Sequence, residues 1–284
     1  MTKGAFLIAR NNSYIDYVKQ AVFLAKQIKK HLGIPVTIAT DSVNYLESKF
    51  GVDDFDNVIK LKYVDEINLR YFFDGTLSKK TASFKNNNRA SVYDLTPYDE
   101  TLLLDTDYVI ANDLLKSCFD SKHDLMLYKK SSDLAQVRDE REFDKISDTG
   151  VDFYWATVVF FRKTETNKIF FDLIKHIEEE WHHYKRVYQI NSSLFRNDFA
   201  FSIAVHIMNG FQHGQFVQEL PGKMFYTTDK DVLCHFKDNE EMMFLVEKKD
   251  NLGDYSLLKT QGQTVHVMNK FSLNRIIDQE FNHD

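Results

Sequence analysis

The stretch YDETLLLDTDYVIAND, residues 98–113, joins three consecutive leucines to a pair of aspartates, Asp105 and Asp107. The apolar run at 102–104 predicts a buried strand. Alternation along an extended chain points the two aspartate side chains to the same side. Neighbouring carboxylates repel each other, and burial makes their ionisation costlier. A cation bound at the end of this strand would remove both costs.

The residues before this stretch alternate between two hydrophobic patterns. Short apolar runs with β-branched residues predict strands at AFLIAR (5–10), PVTIATD (35–41) and NVIKLK (57–62). Helical spacing predicts helices at 13–33, with Ser13 as N-cap and Gly33 as stop, and at 42–50. This alternation favours parallel strands joined by right-handed crossovers. In such sheets ligands bind beyond the carboxyl ends of the strands, where Asp105 and Asp107 lie.

The remaining pattern is less regular but continues the mixture of strands and helices. It predicts helices at 86–95, 166–188 and 196–210, and strands at 100–107, 124–129, 154–162 and 222–228. The charged, weakly patterned segment 129–152 predicts a mobile loop. No internal repeat or Pro/Gly-rich linker divides the chain.

The aspartate pair has two interpretations. Carboxylate oxygens are hard ligands that suit Mg²⁺ or Mn²⁺, which proteins often share with a bound phosphate. The alternative is a loop in which an aspartate caps the next helix. The position after a buried strand, midway along an alternating chain, favours the metal site.

The segment ETLLLDTDYVIAND resembles the Asp-x-Asp segment of glycosyltransferases of the A type, especially the glycogenin and lipopolysaccharide galactosyltransferase group. The resemblance implies an α/β fold with a single Rossmann-like open mixed sheet flanked by helices. It implies one domain, 1–284, with a nucleotide-binding half (1–110) and an acceptor-binding half (111–284) that ends in a metal and diphosphate segment. It further implies that the aspartates hold Mn²⁺ (or Mg²⁺) on the diphosphate of a nucleotide sugar, with Thr106 also contacting this donor.

The resemblance also implies a third metal ligand, a histidine, near the C-terminus. The segment TVHVMNKFSLNR (264–275) offers His266 as that ligand and Lys270 as the residue that meets the diphosphate. The family's glycine is absent there, and the spacing is shorter. His235 is the competing ligand, but His266 follows a short β-like stretch and matches the expected order along the chain.

Further donor contacts follow from the same resemblance. The end of the first strand meets the nucleotide base, which assigns to it Ala9, Arg10 and Asn11. Asp41, after the second strand, is expected near the base or ribose. Arg89, before the leucine strand, is expected to approach the donor, with Lys85 as the alternative. A guanidinium at that position matches the geometry of phosphate oxygens.

The sugar side departs from the family pattern. YWATVVFFRK resembles a strand that lies under the sugar, but Trp155 and Thr157 replace an asparagine and a glycine, and Trp155 is expected in the core. FRNDFAFSIAVH resembles the segment that contacts the transferred sugar, with Asp198 kept and Phe199 in place of glutamine. Asp198 is therefore the expected catalytic residue, either positioning the sugar or acting as a base; its alternative role is a helix cap.

These features predict a metal-dependent transferase that moves a sugar from a nucleotide diphosphate, most simply a UDP-sugar, to an acceptor hydroxyl. The acceptor stays open between a saccharide, a glycoconjugate and a hydroxylated nucleic-acid base. A non-catalytic nucleotide-sugar-binding protein of the same fold is the alternative. A nucleotidyltransferase is disfavoured because no Gly-rich loop follows the first strand.

Composition sets the remaining expectations. A net charge of −6 argues against a protein that mainly grips nucleic acid. Two isolated cysteines, Cys118 and Cys234, suit a reducing cytoplasm. No apolar run approaches the ~20 residues that span a bilayer, so we expect a cytoplasmic protein without stable membrane insertion.

Overall fold

The computed structural model describes residues 1–63, 68–85, 87, 89–138, 143–192, 194–237, 240–248 and 253–281. Its first part alternates strands and helices as the sequence predicts. In chain order these elements are β1 (Lys3–Ala9), α1 (Tyr17–His31), β2 (Val36–Thr40), α2 (Val43–Lys49) and β3 (Asn57–Lys60). The alternation arises because apolar β-branched runs bury both faces of a strand, whereas the intervening segments carry one apolar stripe.

Helix α1 begins later than the sequence predicts. Asp16, not Ser13, is its N-cap, because the Asp16 carboxylate accepts the backbone N–H of Lys19 at 2.9 Å. Ser13 lies instead in a turn that the Asn12 side chain closes by accepting the N–H of Ile15 at 2.8 Å. An earlier asparagine therefore captured the backbone groups that a serine cap would have used.

The middle of the chain contains a β-hairpin that the sequence analysis did not predict. It is followed by a 3₁₀ turn at Arg89–Ser91 where a helix over 86–95 was expected; Asn86 and Asn88 of that expectation lie outside the described residues. The elements here are β4 (Leu69–Phe73), β5 (Lys79–Ser83), α3 (Val92–Leu95), β6 (Glu100–Leu104) and β7 (Tyr108–Val109). Strand β6 is the predicted leucine strand, and it ends just before Asp105.

The second half of the chain mixes strands and helices. The predicted helix 166–188 is two helices that meet at Glu180. The elements are β8 (Leu125–Tyr128), β9 (Ser131–Asp133), β10 (Trp155–Arg162), α4 (Glu165–Glu179), α5 (Trp181–Val187), α6 (Asn197–Met208), β11 (Gln218–Glu219), β12 (Met224–Thr227), β13 (Val232–Phe236), β14 (Glu241–Glu247), β15 (Tyr255–Gln261), β16 (Val265–Val267) and α7 (Lys270–Phe281).

The segment 129–152 is not wholly the loop that was predicted. It contains β9, and the fully buried Asp133 of this strand binds Arg138 at 3.0 Å. Arg138 also donates to both carboxylate oxygens of Asp231, at 2.6 and 2.8 Å. These charged residues form a buried ion-pair network rather than a solvated loop, a distinction that a weak local pattern does not reveal.

A seven-stranded sheet forms the centre of the fold, with the order β11-β8-β10-β6-β1-β2-β3. Strands β6, β1, β2 and β3 run parallel, and β10 runs antiparallel between β6 and β8. Helix α1 packs on β1 and β2, and α6 packs on β10. The prediction of an open mixed sheet flanked by helices is confirmed.

The leucine run occupies the middle of this sheet. Leu102, Leu103 and Leu104 have no accessible surface. Burying each leucine side chain stabilises the fold by roughly 1.5–3 kcal/mol. Because β6 lies between β1 and β10, the residue after Leu104 emerges at the carboxyl edge of the sheet.

A second sheet brings the C-terminal part of the chain to the same edge. Its strand order is β7-β16-β12-β9, and His266 of β16 pairs with Tyr108 of β7. The N–H of Val267 donates to the carbonyl oxygen of Asp107 at 2.9 Å. This pairing fixes His266 beside the aspartates despite a separation of 159 residues along the chain.

Two further β structures complete the described chain. Strands β13, β14 and β15 form an antiparallel meander, and β4 and β5 form the isolated hairpin. Among the described residues, no helix is both long enough and apolar enough to cross a membrane.

Candidate metal and donor site

A cleft opens at the carboxyl edge of the central sheet, where β1 and β6 end. Its walls come from these strand ends, the β4–β5 hairpin, the start of α6 and the segment between β16 and α7. It brings together eight of the predicted site residues, namely Arg10, Arg89, Asp105, Thr106, Asp107, Asp198, His266 and Lys270.

Asp105 is the first carboxylate beyond the leucine strand. Its side chain keeps 37% of its surface accessible, towards the cleft. The Arg89 guanidinium donates to its Oδ1 at 2.6 Å through Nη1, and to the carbonyl oxygen of Thr157 at 3.1 Å through Nη2. Arg89 therefore links the predicted metal ligand to the antiparallel strand β10.

Asp107 lies deeper, with 3% of its surface exposed. Its Oδ2 accepts a hydrogen bond from Lys270 Nζ at 2.6 Å and lies 3.2 Å from His266 Nε2. His266 is itself buried, and its Nδ1 has no partner among the described residues. The predicted ligands Asp107 and His266 thus meet, together with the predicted diphosphate contact Lys270.

The pKa values of Asp105 and Asp107 are shifted in opposite directions. Burial raises the pKa of Asp105; the Arg89 guanidinium opposes that rise, and the charge of Asp107 adds to it. Burial also acts to raise the pKa of Asp107, but Lys270 and His266 outweigh burial and hold this pKa well below its ordinary range. Asp107 therefore stays ionised at neutral pH and supplies a fixed negative charge.

Asp105, Asp107 and His266 each offer one ligand atom, and these three atoms lie within 4.8 Å of one another. Two carboxylate oxygens and an imidazole nitrogen form a donor set that divalent first-row cations accept. The competing candidate, His235, lies on β13 and does not line the cleft. Over the described residues, this is the one cluster of at least three such side chains with metal-ligand spacing.

Asp198 also lines the cleft, from the first turn of α6. Its Oδ1 accepts the backbone N–H of Ala156 at 2.9 Å, and its Oδ2 accepts Nη2 of Arg196 at 2.7 Å. Asp198 is therefore not the N-cap of α6, which is Arg196; its carboxylate ties α6 to β10 and holds a cation that lines the cleft.

Three predicted donor residues do not line the cleft. Ala9 is buried within β1, and the side chain of Asn11 binds Asp16 and the N–H of Val18, each at 2.9 Å. Asp41 accepts the Ser42 hydroxyl at 2.9 Å. Asn11 thus shapes the start of α1, and all three residues stay predictions as donor contacts.

The sugar-side departures have a packing role. Trp155 is 1% exposed, and its ring centroid lies 4.6 Å from that of Phe143 and 5.7 Å from that of Tyr226. It belongs to the core, as expected, yet it also reaches the cleft wall. Its indole Nε1 has no hydrogen-bond partner among the described residues.

The cleft also contains residues that the sequence analysis missed. Arg70 comes from the unpredicted hairpin and Arg196 precedes α6; Lys85 had been named only as an alternative. Together with Arg10, Arg89 and Lys270 they make six basic side chains against the three acidic side chains of Asp105, Asp107 and Asp198. The Asp-Gly pair at 74–75 is a hairpin-turn signal, and it could have predicted the hairpin that carries Arg70.

No protein-family model and no curated protein matches the chain. Among solved structures, it is similar to the glycosyltransferase GlyE of Streptococcus pneumoniae TIGR4 (14% identity, TM-score 0.42, 78% of this chain and 45% of that one). It is similar to the galactosyltransferase LgtC (14%, 0.45, 76% and 72%) and to mouse xyloside xylosyltransferase 1 (10%, 0.45, 78% and 85%). The match thus spans less than half of GlyE. At these TM-scores the function has to be argued from the site itself.

Proposed function

We propose that the protein is a metal-dependent glycosyltransferase that moves a sugar from a nucleotide-diphosphate donor to an acceptor hydroxyl. The observation that carries the proposal is the cluster of Asp105, Asp107 and His266, whose ligand atoms lie within 4.8 Å of one another at the carboxyl edge of the sheet. The resemblance of the Asp-x-Asp segment to A-type glycosyltransferases supports the same reading. Mn²⁺ or Mg²⁺ is the proposed ion and a UDP-sugar the proposed donor.

The donor set fits such an ion. The Asp105 and Asp107 carboxylates already attract cations, since each holds a basic side chain at 2.6 Å. His266 Nε2 faces the same oxygen of Asp107 that Lys270 binds. A divalent cation bound by these residues would act as a Lewis acid toward the diphosphate leaving group.

Lys270 and Arg89 have a second task in this proposal. Both are bound to the ligand carboxylates, and both line the cleft, so each can turn toward the diphosphate when a metal takes its carboxylate. Lys270 is also the first residue of α7, whose N-terminal end carries partial positive charge. The two side chains would then stabilise the charge that grows on the leaving diphosphate.

Asp198 is proposed to position the transferred sugar. Both of its carboxylate oxygens already accept protein hydrogen bonds, one from a backbone N–H and one from Arg196. A carboxylate fixed in this way is suited to accept a further hydrogen bond from a sugar hydroxyl at a defined point. In the same proposal, residues 1–110 carry the nucleotide and residues 111–284 carry the acceptor side with the final metal and diphosphate segment.

The test is turnover of UDP-sugars without an added acceptor, measured as UDP release with Mn²⁺ or with EDTA. The intact protein should hydrolyse at least one UDP-sugar slowly, and only with metal. Asp107→Asn removes a charged ligand while keeping the side-chain shape, and should lower turnover at least about 1000-fold. Asp113→Asn is the matched control, because Asp113 is exposed and makes no side-chain cap hydrogen bond.

Calorimetric titration with Mn²⁺ supplies a second readout. Metal binding that is lost in Asp107→Asn but kept in Asp113→Asn supports the site even where the donor sugar is wrong. Binding of metal and UDP without turnover of any UDP-sugar would favour the non-catalytic alternative. Full activity of Asp107→Asn in EDTA would exclude the metal mechanism.

A further inference from the structure

Arg10 places a buried positive charge in the cleft. It follows β1, lines the cleft and is 6% exposed. Its Nε and Nη1 have no hydrogen-bond partner among the described residues. Buried polar groups are normally satisfied, and a charged one left unpaired is costly, so an unpaired buried guanidinium indicates a missing ligand.

Arg70 is a second cleft cation without a carboxylate among the described residues. Its guanidinium lies over the rings of Phe72 and Phe84, at 5.5 and 5.0 Å from their centroids. An arginine held over aromatic rings is suited to bidentate binding of carboxylate or phosphate.

The other four cleft cations already have acidic partners. Arg89 binds Asp105, Lys270 binds Asp107 and Arg196 binds Asp198, each at 2.6–2.7 Å. Lys85 lies 3.7 Å from Asp41. Arg10 and Arg70 are therefore the two positive charges of the cleft that no acidic group of the described chain neutralises.

The proposed donor does not neutralise them either. A divalent ion would balance Asp105 and Asp107, and the freed Arg89 and Lys270 would balance the two charges of a diphosphate. The nucleotide base, which the sequence resemblance assigns to Arg10, is uncharged. Among the described residues and the proposed donor, no group thus compensates the positive charge of Arg10 and Arg70.

We infer that Arg10 and Arg70 form a second anion subsite, which receives a carboxylate or phosphate in addition to the donor diphosphate. The inference rests on the proposed function for its meaning: the substrate is acidic. The acid belongs either to the transferred sugar, as in a uronic acid, or to the acceptor, as in a sugar phosphate. Both present oxygen pairs that a guanidinium binds in a charge-assisted manner.

The test is calorimetric titration with sodium sulfate, a doubly charged probe, at constant ionic strength. It is done once in EDTA and once with saturating Mn²⁺ and UDP. One sulfate should bind per chain under both conditions. Arg10→Gln and Arg70→Gln should each weaken binding at least about tenfold, the effect of losing a charge-assisted hydrogen bond. Lys79→Gln, an exposed change of equal charge on the same hairpin, should change it less than twofold.

The outcomes separate this inference from the proposed function. Sulfate binding that UDP and Mn²⁺ abolish would overturn the second subsite, because the UDP diphosphate would then occupy the arginine site itself. Sulfate binding that survives in both arginine variants would overturn it as well. Arginine-dependent sulfate binding in a protein that binds neither Mn²⁺ nor UDP in separate titrations would keep the anion subsite and reject the transferase. Thermal melts of the variants without ligand confirm that each is folded.

The source of the acid is then read from two pairs of compounds. If the donor carries the acid, UDP-glucuronic acid should bind at least about tenfold more tightly than UDP-glucose. Arg10→Gln should remove that advantage. If the acceptor carries the acid, glucose 6-phosphate should be a better acceptor than glucose, and Arg70→Gln should remove that advantage. Either result supports the subsite. Equal behaviour of both pairs in the intact protein would overturn the role of the subsite in substrate choice.

Discussion

Asp107 and Asp198 are recessed aspartates on two walls of one cleft, but their partners differ in kind. Asp107 is bound by the side chains of Lys270 and His266. Asp198 is bound by the backbone of Ala156 as well as by a cation. A side-chain partner can turn away when a ligand arrives, whereas a backbone partner is fixed by the sheet. The proposed metal side of the cleft thus has partners that can exchange for another cation, whereas the proposed sugar side has a partner that stays in place.

The largest effect that sharpens this comparison concerns Lys270. Lys270→Met keeps an unbranched side chain one atom shorter but removes the ammonium group that competes with a metal for Asp107. Mn²⁺ should therefore bind more tightly to the nucleotide-free protein, while UDP-sugar turnover falls by roughly 100-fold because the leaving diphosphate loses a cation. Calorimetry gives the first quantity and UDP release gives the second.

Lys19→Met serves as its control, because Lys19 pairs with the half-exposed Asp278 and does not line the cleft. This variant should leave both quantities unchanged. Weaker Mn²⁺ binding in Lys270→Met would mean that the lysine supports the metal site rather than competing with the ion. The proposal that a metal replaces Lys270 at Asp107 would then be wrong.

A smaller effect is expected from Asp198→Ala, and it should appear in stability before it appears in metal affinity. The change leaves the buried N–H of Ala156 without an acceptor and Arg196 without its carboxylate. We expect the free energy of unfolding to fall by about 1–3 kcal/mol, while the affinity for Mn²⁺ stays within twofold. Urea denaturation and calorimetry measure the two.

Asp198→Asn separates the backbone contact from the charge. Asparagine keeps an oxygen for the N–H of Ala156, so most of the lost stability should return, whereas sugar transfer should stay impaired. Equal destabilisation by alanine and asparagine would show that the Arg196 ion pair, and not the backbone bond, holds this wall of the cleft.

The same division between local and distant partners explains what the sequence could predict. The leucine strand and the two aspartates after it are encoded within eight residues, so strand, burial and charge could all be read from 100–107. His266 was assigned from a family resemblance, because its pairing with Tyr108 is a tertiary contact that no local pattern contains. Arg70 was missed because β4 exposes the apolar Leu69 and Tyr71, so its hydrophobic pattern does not mark the buried face. Asp198 was found, but its bond to the backbone of β10 depends on how α6 packs.

The smallest effect concerns Asp152, an aspartate outside this cleft. Its partners are Lys129 at 2.8 Å, Lys145 and His213, all side chains. Burial acts to raise the pKa of Asp152, but hydrogen bonds from Lys129 and Lys145 outweigh burial and lower it from 3.8 to about 2. Asp152 therefore stabilises the folded state above about pH 4, and this contribution is lost as the pH falls toward 2.

Because its partners are half-exposed, Asp152 should contribute less than about 1 kcal/mol. Asp152→Asn should accordingly lower stability slightly at pH 7, have no effect near pH 2, and leave Mn²⁺ binding and turnover unchanged. Urea denaturation at the two pH values measures the first pair of effects. A loss of Mn²⁺ binding in Asp152→Asn would break the comparison, because side-chain partners alone would then be enough to make a carboxylate a metal ligand. The distinguishing feature of Asp107 is that its side-chain partners surround it at the buried end of a strand, next to a second carboxylate and an imidazole.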